Sequence, residues 1–337
     1  MPFVPRIRVV IVSPALADAN NGNWQTARRW QRLLSERHSA RIVKDWPADR
    51  RGDDRDEQAD QVMLALHARR SASAIDAWAR GSPGRGLAVV MTGTDLYRDL
   101  AVDDRVRLSL AAAQKIVVLQ PEGLAALPQD VRWKAQAIFQ STGERRTLAK
   151  PVRRLRAVMV GHLRDEKDPL TLMAAARLVR DEPGIAIDHI GAPLDGALGQ
   201  AARDTATECP RYRWLGGLPH ESTRRHIQRA HVLVHASRME GGAHVVMEAV
   251  RCGTPVLASR IPGNVGMLGA DYDGYFEPGD SAGLARLLRR CHRELAWPGS
   301  SQYLLHLQAQ CARRAPLFSP DAERAALHRL VESLRTP

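Results

Sequence analysis

A chain of 337 residues is too long for one ordinary domain and fits two of roughly 150 residues each. With 44% hydrophobic and 26% charged residues, and 25 glycines and 20 prolines spread along its length, it is excluded from the disordered, collagenous and low-complexity classes. The net charge of +12 is shared along the chain: residues 1–150 carry 24 Lys and Arg against 17 Asp and Glu, and the remainder 25 against 20, so no basic tail or stripe marks a nucleic-acid partner, while anionic small substrates stay compatible.

Arg6 and Arg8 followed by Val9–Val12 and Ala15-Leu16-Ala17 loosely imitate a secretory leader, but the apolar run is too short and Pro14 interrupts it. It reads as a first strand of a cytoplasmic protein. No apolar run approaches the roughly 20 residues that a bilayer span needs, so no membrane insertion is expected. Cys209, Cys252, Cys291 and Cys311 stand far apart, which suggests free thiols, with neither a zinc site nor a disulfide framework.

From the N-terminus, Arg8–Val12 reads as strand, Thr26–Glu36 as amphipathic helix, Ala40–Lys44 and Val62–Leu66 as strands, Ser71–Trp78 as helix, and Leu87–Met91 and Lys115–Leu119 as strands. This alternation builds βαβ units and a parallel sheet. The polar, basic stretch Ser141–Arg154 reads as a linker. A second alternating series follows, with strands expected at Leu155–Val160, Ile185–Ile190, Val232–His235 and Pro255–Ala258, and the chain is helical from Ser281 onward. The expectation is α/β, with two doubly wound Rossmann-like domains facing a central cleft.

Open parallel sheets bind ligands outside the carboxyl ends of their strands, which directs attention to the loops after Val12, Leu66, Met91, Val160, Ile190, Leu215 and His235. The most informative run is Ser237 to Val256, SRMEGGAHVVMEAVRCGTPV. A strand ends, a Gly-rich turn exposes backbone N–H groups, a helix starts near His244, and Gly253 and Pro255 end it. Glu240 in the turn and Glu248 about one helical turn in can face one ligand, and their acceptor oxygens suit sugar hydroxyls. Opening the second domain, Gly161-His162-Leu163-Arg164-Asp165-Glu166-Lys167-Asp168-Pro169 offers Asp168 as a helix cap with Pro169 at the first helical position, and places Arg164 and Lys167 beside a positive helix terminus suited to an anion. Between them, Trp214-Leu215-Gly216-Gly217-Leu218 is a further glycine loop. In the first domain, Asn20-Asn21-Gly22-Asn23-Trp24, His67-Ala68-Arg69-Arg70 and Thr94-Asp95 follow three strands; each could be capping chemistry, and together they suggest a substrate site.

The Glu240 to Val256 run resembles the E-x7-E signature of retaining-type glycosyltransferases with the two-domain GT-B fold, in the group often called family 4. The resemblance implies that Glu240 contacts the donor sugar and Glu248 the nucleotide ribose, with Gly241, Gly242, Ala243 and His244 lining the donor. The 161–169 loop resembles that family's G-R-L loop, whose basic pair neutralises the departing diphosphate. Gly161 and Lys167 match, His162 stands where Arg is usual, and Arg164 is expected to supply that charge. Gly217 and Leu218 correspond to the loop that reads the base.

The N-terminal loops, with GHLRDEKDP and EGGAH, are similar to a narrower glycosyltransferase group, the selenosugar synthases of selenoneine biosynthesis. That likeness implies UDP-N-acetylglucosamine and selenophosphate as substrates, joined through a new carbon–selenium bond, with no metal or other cofactor. It places Glu240, Arg164, Lys167 and His162 at the chemistry, and Asn20, Asn21, Gly22, Asn23, Trp24, His67, Arg69, Arg70, Thr94 and Asp95 on the acceptor side. The domains expected are 1–145 for the acceptor and 151–318 for the UDP-sugar donor, with 319–337 a C-terminal helix that has the option of packing back on the N-terminal domain. Two alternatives stand beside this reading: a conventional UDP-sugar transferase with a sugar, lipid or small-molecule acceptor, and an arginine-rich nucleic-acid-binding protein.

Overall fold

The computed structural model describes residues 6–16, 22–47, 60–81, 85–296 and 302–335. The chain divides into two compact units, residues 1–141 with 320–337, and residues 142–319. Each is built on a six-stranded parallel sheet with helices between the strands.

In the first unit the strands are β1 Arg8–Val12, β2 Ser39–Val43, β3 Val62–Leu66, β4 Gly86–Val90, β5 Lys115–Val118 and β6 Ala135–Ala137, in the spatial order β2-β1-β3-β4-β5-β6. β3 and β4 are buried along their whole length, as parallel strands covered on both faces must be. Because side chains alternate, Val10, Val12, Met63 and Ala65 face a core shared with Ile75, Trp78 and Leu110, whereas Val9, Ile11, Leu64 and Leu66 face one shared with Trp30, Leu33, Leu34, Leu327 and Val331. The helix Pro320–Ser333 thus completes the first unit. One carboxylate fixes it there: Glu323 is 1% exposed and accepts from Arg29 Nε at 2.8 Å, Trp30 Nε1 at 2.7 Å and the Ser141 backbone N–H at 2.9 Å, and from the Ser141 hydroxyl.

The second unit contains β7 Leu155–Val160, β8 Ile185–Ile190, β9 Tyr212–Trp214, β10 Val232–His235, β11 Val256–Ser259 and β12 Tyr275–Phe276, ordered β12-β11-β10-β7-β8-β9. Most expected strands fall within one residue of those observed. Three differences matter. The first helix runs over Gly22–Leu34, four residues earlier than its periodicity suggests, so Gly22, Asn23 and Trp24 belong to its first turn and not to a loop. β6 and β12, three and two residues long, are too short to show as strands. The stretch read as a linker is instead held on the second unit: the Arg145 backbone N–H donates to Arg251 O at 3.2 Å, Arg224 Nη2 to Gly143 O at 2.7 Å, and Gln228 Nε2 to Arg146 O at 2.8 Å.

Candidate active site

The expected donor residues of the second unit follow the carboxyl ends of β7, β9 and β10. β10 ends in His235, and the chain turns through Ser237-Arg238-Met239-Glu240-Gly241-Gly242 into the helix His244–Val250. Glu240 Oε1 accepts from Lys167 Nζ and from Ser237 Oγ at 2.8 Å, with His235 Nε2 at 3.4 Å. Burial of Glu240 opposes ionisation, but the Lys167 ammonium and the His235 ring outweigh it and hold the carboxyl well below the usual carboxylate range. The group is an anion at neutral pH.

Eight residues on, Glu248 is 6% exposed and so does not lie on a solvated helix face. Its Oε1 accepts from His220 Nε2 at 2.6 Å, with Arg224 Nε at 3.7 Å. The hydrogen bond to Glu248 raises the His220 pKa. In both carboxylates Oε1 is used by the protein, whereas Oε2 has no hydrogen-bond partner among the described residues. Two ionisable acceptors thus stand open to hydroxyl groups.

Lys167 is aimed by a clamp that the sequence reading left unassigned. Arg238 pairs with Asp165 at 3.1 Å and Asp168 at 3.3 Å, and its backbone N–H donates to Glu166 O at 3.0 Å, tying the loop after β7 to the turn after β10. Asp168 takes a left-handed φ of 46° before the helix Pro169–Leu178, and its Oδ2 accepts from the Thr171 hydroxyl at 2.8 Å. The side chain makes no backbone cap bond, contrary to the expected capping role, because Thr171 and Arg238 take its oxygens.

His162 carries no charge to replace the missing arginine. Burial, with Arg164 and Lys167 nearby, lowers its pKa, and its Nδ1 accepts from the Ala192 N–H at 3.2 Å. The ring braces the loop after β8. Arg164 is about half exposed, with Glu166 3.9 Å away, so its guanidinium is loosely held.

Two glycines beyond those singled out shape the site. A Cβ at Gly263 would come within 2.1 Å of Glu240 O, and one at Gly191 within 1.9 Å of Gly161 O, so backbone approaches backbone at both places. Only the segment's full packing shows this. Gly216 has φ 65° and precedes exposed Gly217 and half-buried Leu218, which follow β9. In the Gly241-Gly242-Ala243 turn the Ala243 N–H is already given to Met267 Sδ at 3.1 Å. His244 opens the helix.

The first unit treats its expected site residues differently. Asn20 and Asn21 lie outside the described residues. His67 is 2% exposed with φ 70°; its Nε2 is 3.1 Å from Thr94 Oγ1, and burial lowers its pKa. Asp95 is wholly buried, and its oxygens accept from the Ala68 N–H at 2.8 Å and from the Thr92 N–H and hydroxyl at 2.7 Å. Every one of these contacts lies between or within the loops that carry His67, Thr94 and Asp95. Arg69 is likewise engaged, with Asp103 at 2.6 Å and Asp99 at 3.6 Å, while Arg70 is exposed.

Among the described residues no helix is long and apolar enough to cross a membrane. No group of three or more His, Cys, Asp or Glu among them is placed to hold a metal.

The two parallel six-stranded sheets have the GT-B architecture of glycosyltransferase structures. The chain is similar over 98% of its length to sucrose-phosphate synthase from Thermosynechococcus elongatus, covering 99% of it at 18% identity and a TM-score of 0.76. It is similar over 97% of its length to Anabaena Alr3699/HepE, solved in complex with UDP and glucose, covering 100% of that chain at 16% identity and a TM-score of 0.68. Residues 140–293 match the family described as "Glycosyl transferases group 1". Among curated proteins, "Glycosyltransferase 1 domain-containing protein 1" of Xenopus tropicalis is 27% identical over 200 residues, 52% of this chain and 57% of that protein.

Proposed function

We propose that the protein is a glycosyltransferase that takes its sugar from a UDP-sugar held by the second unit, and that it joins N-acetylglucosamine to selenophosphate. The observation that carries the donor half is the pair Glu240 and Glu248, each held by protein partners through Oε1 and without a hydrogen-bond partner at Oε2 among the described residues. On this reading Glu240 orients the sugar and Glu248 the ribose. Their spacing, the group 1 match and the nucleotide in a structurally similar protein support it.

The anomeric carbon exchanges its bond to the diphosphate oxygen for one to selenium, and the electron pair leaves on UDP. Selenophosphate is already an anion, so the step needs charge stabilisation on the leaving group more than a strong base. Lys167 supplies that charge when it passes from Glu240 to the diphosphate, with half-exposed Arg164 beside it. Neither a metal nor another cofactor enters this scheme; the UDP-sugar is a substrate. Arg70, exposed and without a carboxylate partner among the described residues, is the cation available to the acceptor. The four buried thiols suit a reducing, cytoplasmic setting.

One observation favours a conventional acceptor. Arg69 is paired with Asp103 and Asp99, so one of the two cations meant for selenophosphate already has carboxylate partners. Mass spectrometry of products from UDP-N-acetylglucosamine with selenophosphate decides: a product carrying selenium on the sugar supports the proposal. Transfer only to sugar or lipid hydroxyls contradicts its acceptor half.

A further inference from the structure

Parallel strands are normally covered on both faces and read as continuous apolar runs. In β7, β8 and β9 this breaks down on one face. Leu155, Ala157, Ile185, Ile187 and Tyr212 are buried, but the residues between them are Arg156, Ala186, Asp188 and Arg213. Register sets Val158, Asp188 and Arg213 in one row across the three strands, and Arg156 pairs with Ala186 in the row before it. Side chains two apart share a face, so Arg154 and Arg211 join the same surface.

The helix His220–Arg229 lies beside this face and leaves a groove of about 410 Å³ lined by Arg154, Arg156, Arg211, Arg213, His226 and Arg229. Asp188 is its one acid, paired with Arg213 at 2.6 Å and 3.6 Å from His226. Among the described residues Arg154, Arg156, Arg211 and Arg229 have no carboxylate partner. Like charges held in one concavity repel each other, and a multivalent anion relieves that repulsion. Guanidinium forks match phosphate oxygens in particular. The groove occupies the amino-terminal part of the strands, whereas the donor loops follow their carboxyl ends. The helix that begins with His220 beside Glu248 ends with Arg229 in the groove.

We propose that this groove is a second anion site, distinct from the donor loops, for a compact ligand carrying two or more phosphate groups, either free or as a phosphorylated lipid headgroup. A concave site of this size suits a compact anion better than an extended polymer.

The test is calorimetric titration of the full chain with tripolyphosphate at low salt, using wild type, Arg156→Gln, Arg229→Gln and Lys167→Ala. Both arginines are exposed, and melting curves verify that the variants fold. Binding should weaken about tenfold with each guanidinium removed, and persist in Lys167→Ala. Unchanged affinity in both arginine variants, or loss only in Lys167→Ala, overturns the proposal; the latter result would put the anion in the donor loops and leave the donor reading intact. Vesicles containing phosphatidylinositol bisphosphate, against phosphatidylcholine alone, separate the sources. Vesicle capture displaced by tripolyphosphate supports the headgroup, and tripolyphosphate binding without capture supports the free anion. An oligonucleotide that binds more tightly than tripolyphosphate through the same arginines overturns the small-anion assignment in favour of nucleic acid.

Discussion

The two units use the same architecture but spend their conspicuous polar residues differently. In the second unit Lys167, Glu240 and Glu248 keep open valences at the ends of the strands: Glu240 and Glu248 each leave an oxygen without a protein partner, and Lys167 is held by a carboxylate from which a stronger anion can draw it. In the first unit Asp95, His67 and Arg69 are committed to the loops that carry them. A polar residue at the carboxyl end of a parallel strand is therefore a candidate ligand only after its internal partners have been counted.

The sharpest way to break this contrast is to disable the donor side. Glu240→Gln and Lys167→Ala should each lower kcat of sugar transfer by about 100-fold, the loss of one preorganised electrostatic contact to the reacting group. Wild-type turnover in both variants would remove the functional meaning of the pair. EDTA should leave the wild-type rate unchanged.

The opposite change tests the structural side. Asp95→Ala strips a buried carboxylate from three donors and should destabilise the first unit by about 2–4 kcal/mol in chemical denaturation, with UDP affinity of the folded protein retained. Stability equal to wild type would leave Asp95 among the acceptor candidates.

A finer cut separates the neighbouring arginines. Arg70→Ala should raise the KM for an anionic acceptor several-fold with UDP affinity unchanged. Arg69→Ala should cost about 1 kcal/mol of stability or less, since its ion pairs are part-exposed. Equal effects on KM would erase the distinction drawn between them.

The smallest expected effect is a pH dependence. The His220 pKa is raised in the folded state by Glu248, so the pair's contribution is complete below about pH 6.5 and is lost as the pH rises through the raised value. His220→Gln should therefore lower the melting temperature slightly at pH 6 and leave it unchanged at pH 9. A difference that grows with pH would reverse the assignment.

Much of this was legible in the sequence, for local reasons. Strands β3, β4, β10 and β11 announce themselves because both faces are buried, and the Glu240 to Pro255 run compresses turn, helix and stop into one segment. The Arg238 clamp was hidden because its partners, Asp165 and Asp168, lie some 70 residues away and meet it only when β10 pairs with β7. Gly263 and Gly191 were hidden likewise, since close backbone approach has no local signature. The early start of the first helix was missed because Gly22, Asn23 and Trp24 have a loop-like composition, and Arg69 because its carboxylates sit 30 and 34 residues downstream.

The most direct test is the calorimetric affinity for UDP in wild type, Glu248→Ala and Arg70→Ala. The donor assignment predicts that Glu248→Ala weakens UDP binding about tenfold or more, the usual value of a hydrogen bond to a charged group, while Arg70→Ala leaves it unchanged. Equal UDP affinity in wild type and Glu248→Ala, or loss confined to Arg70→Ala, would contradict the placement of the nucleotide in the second unit.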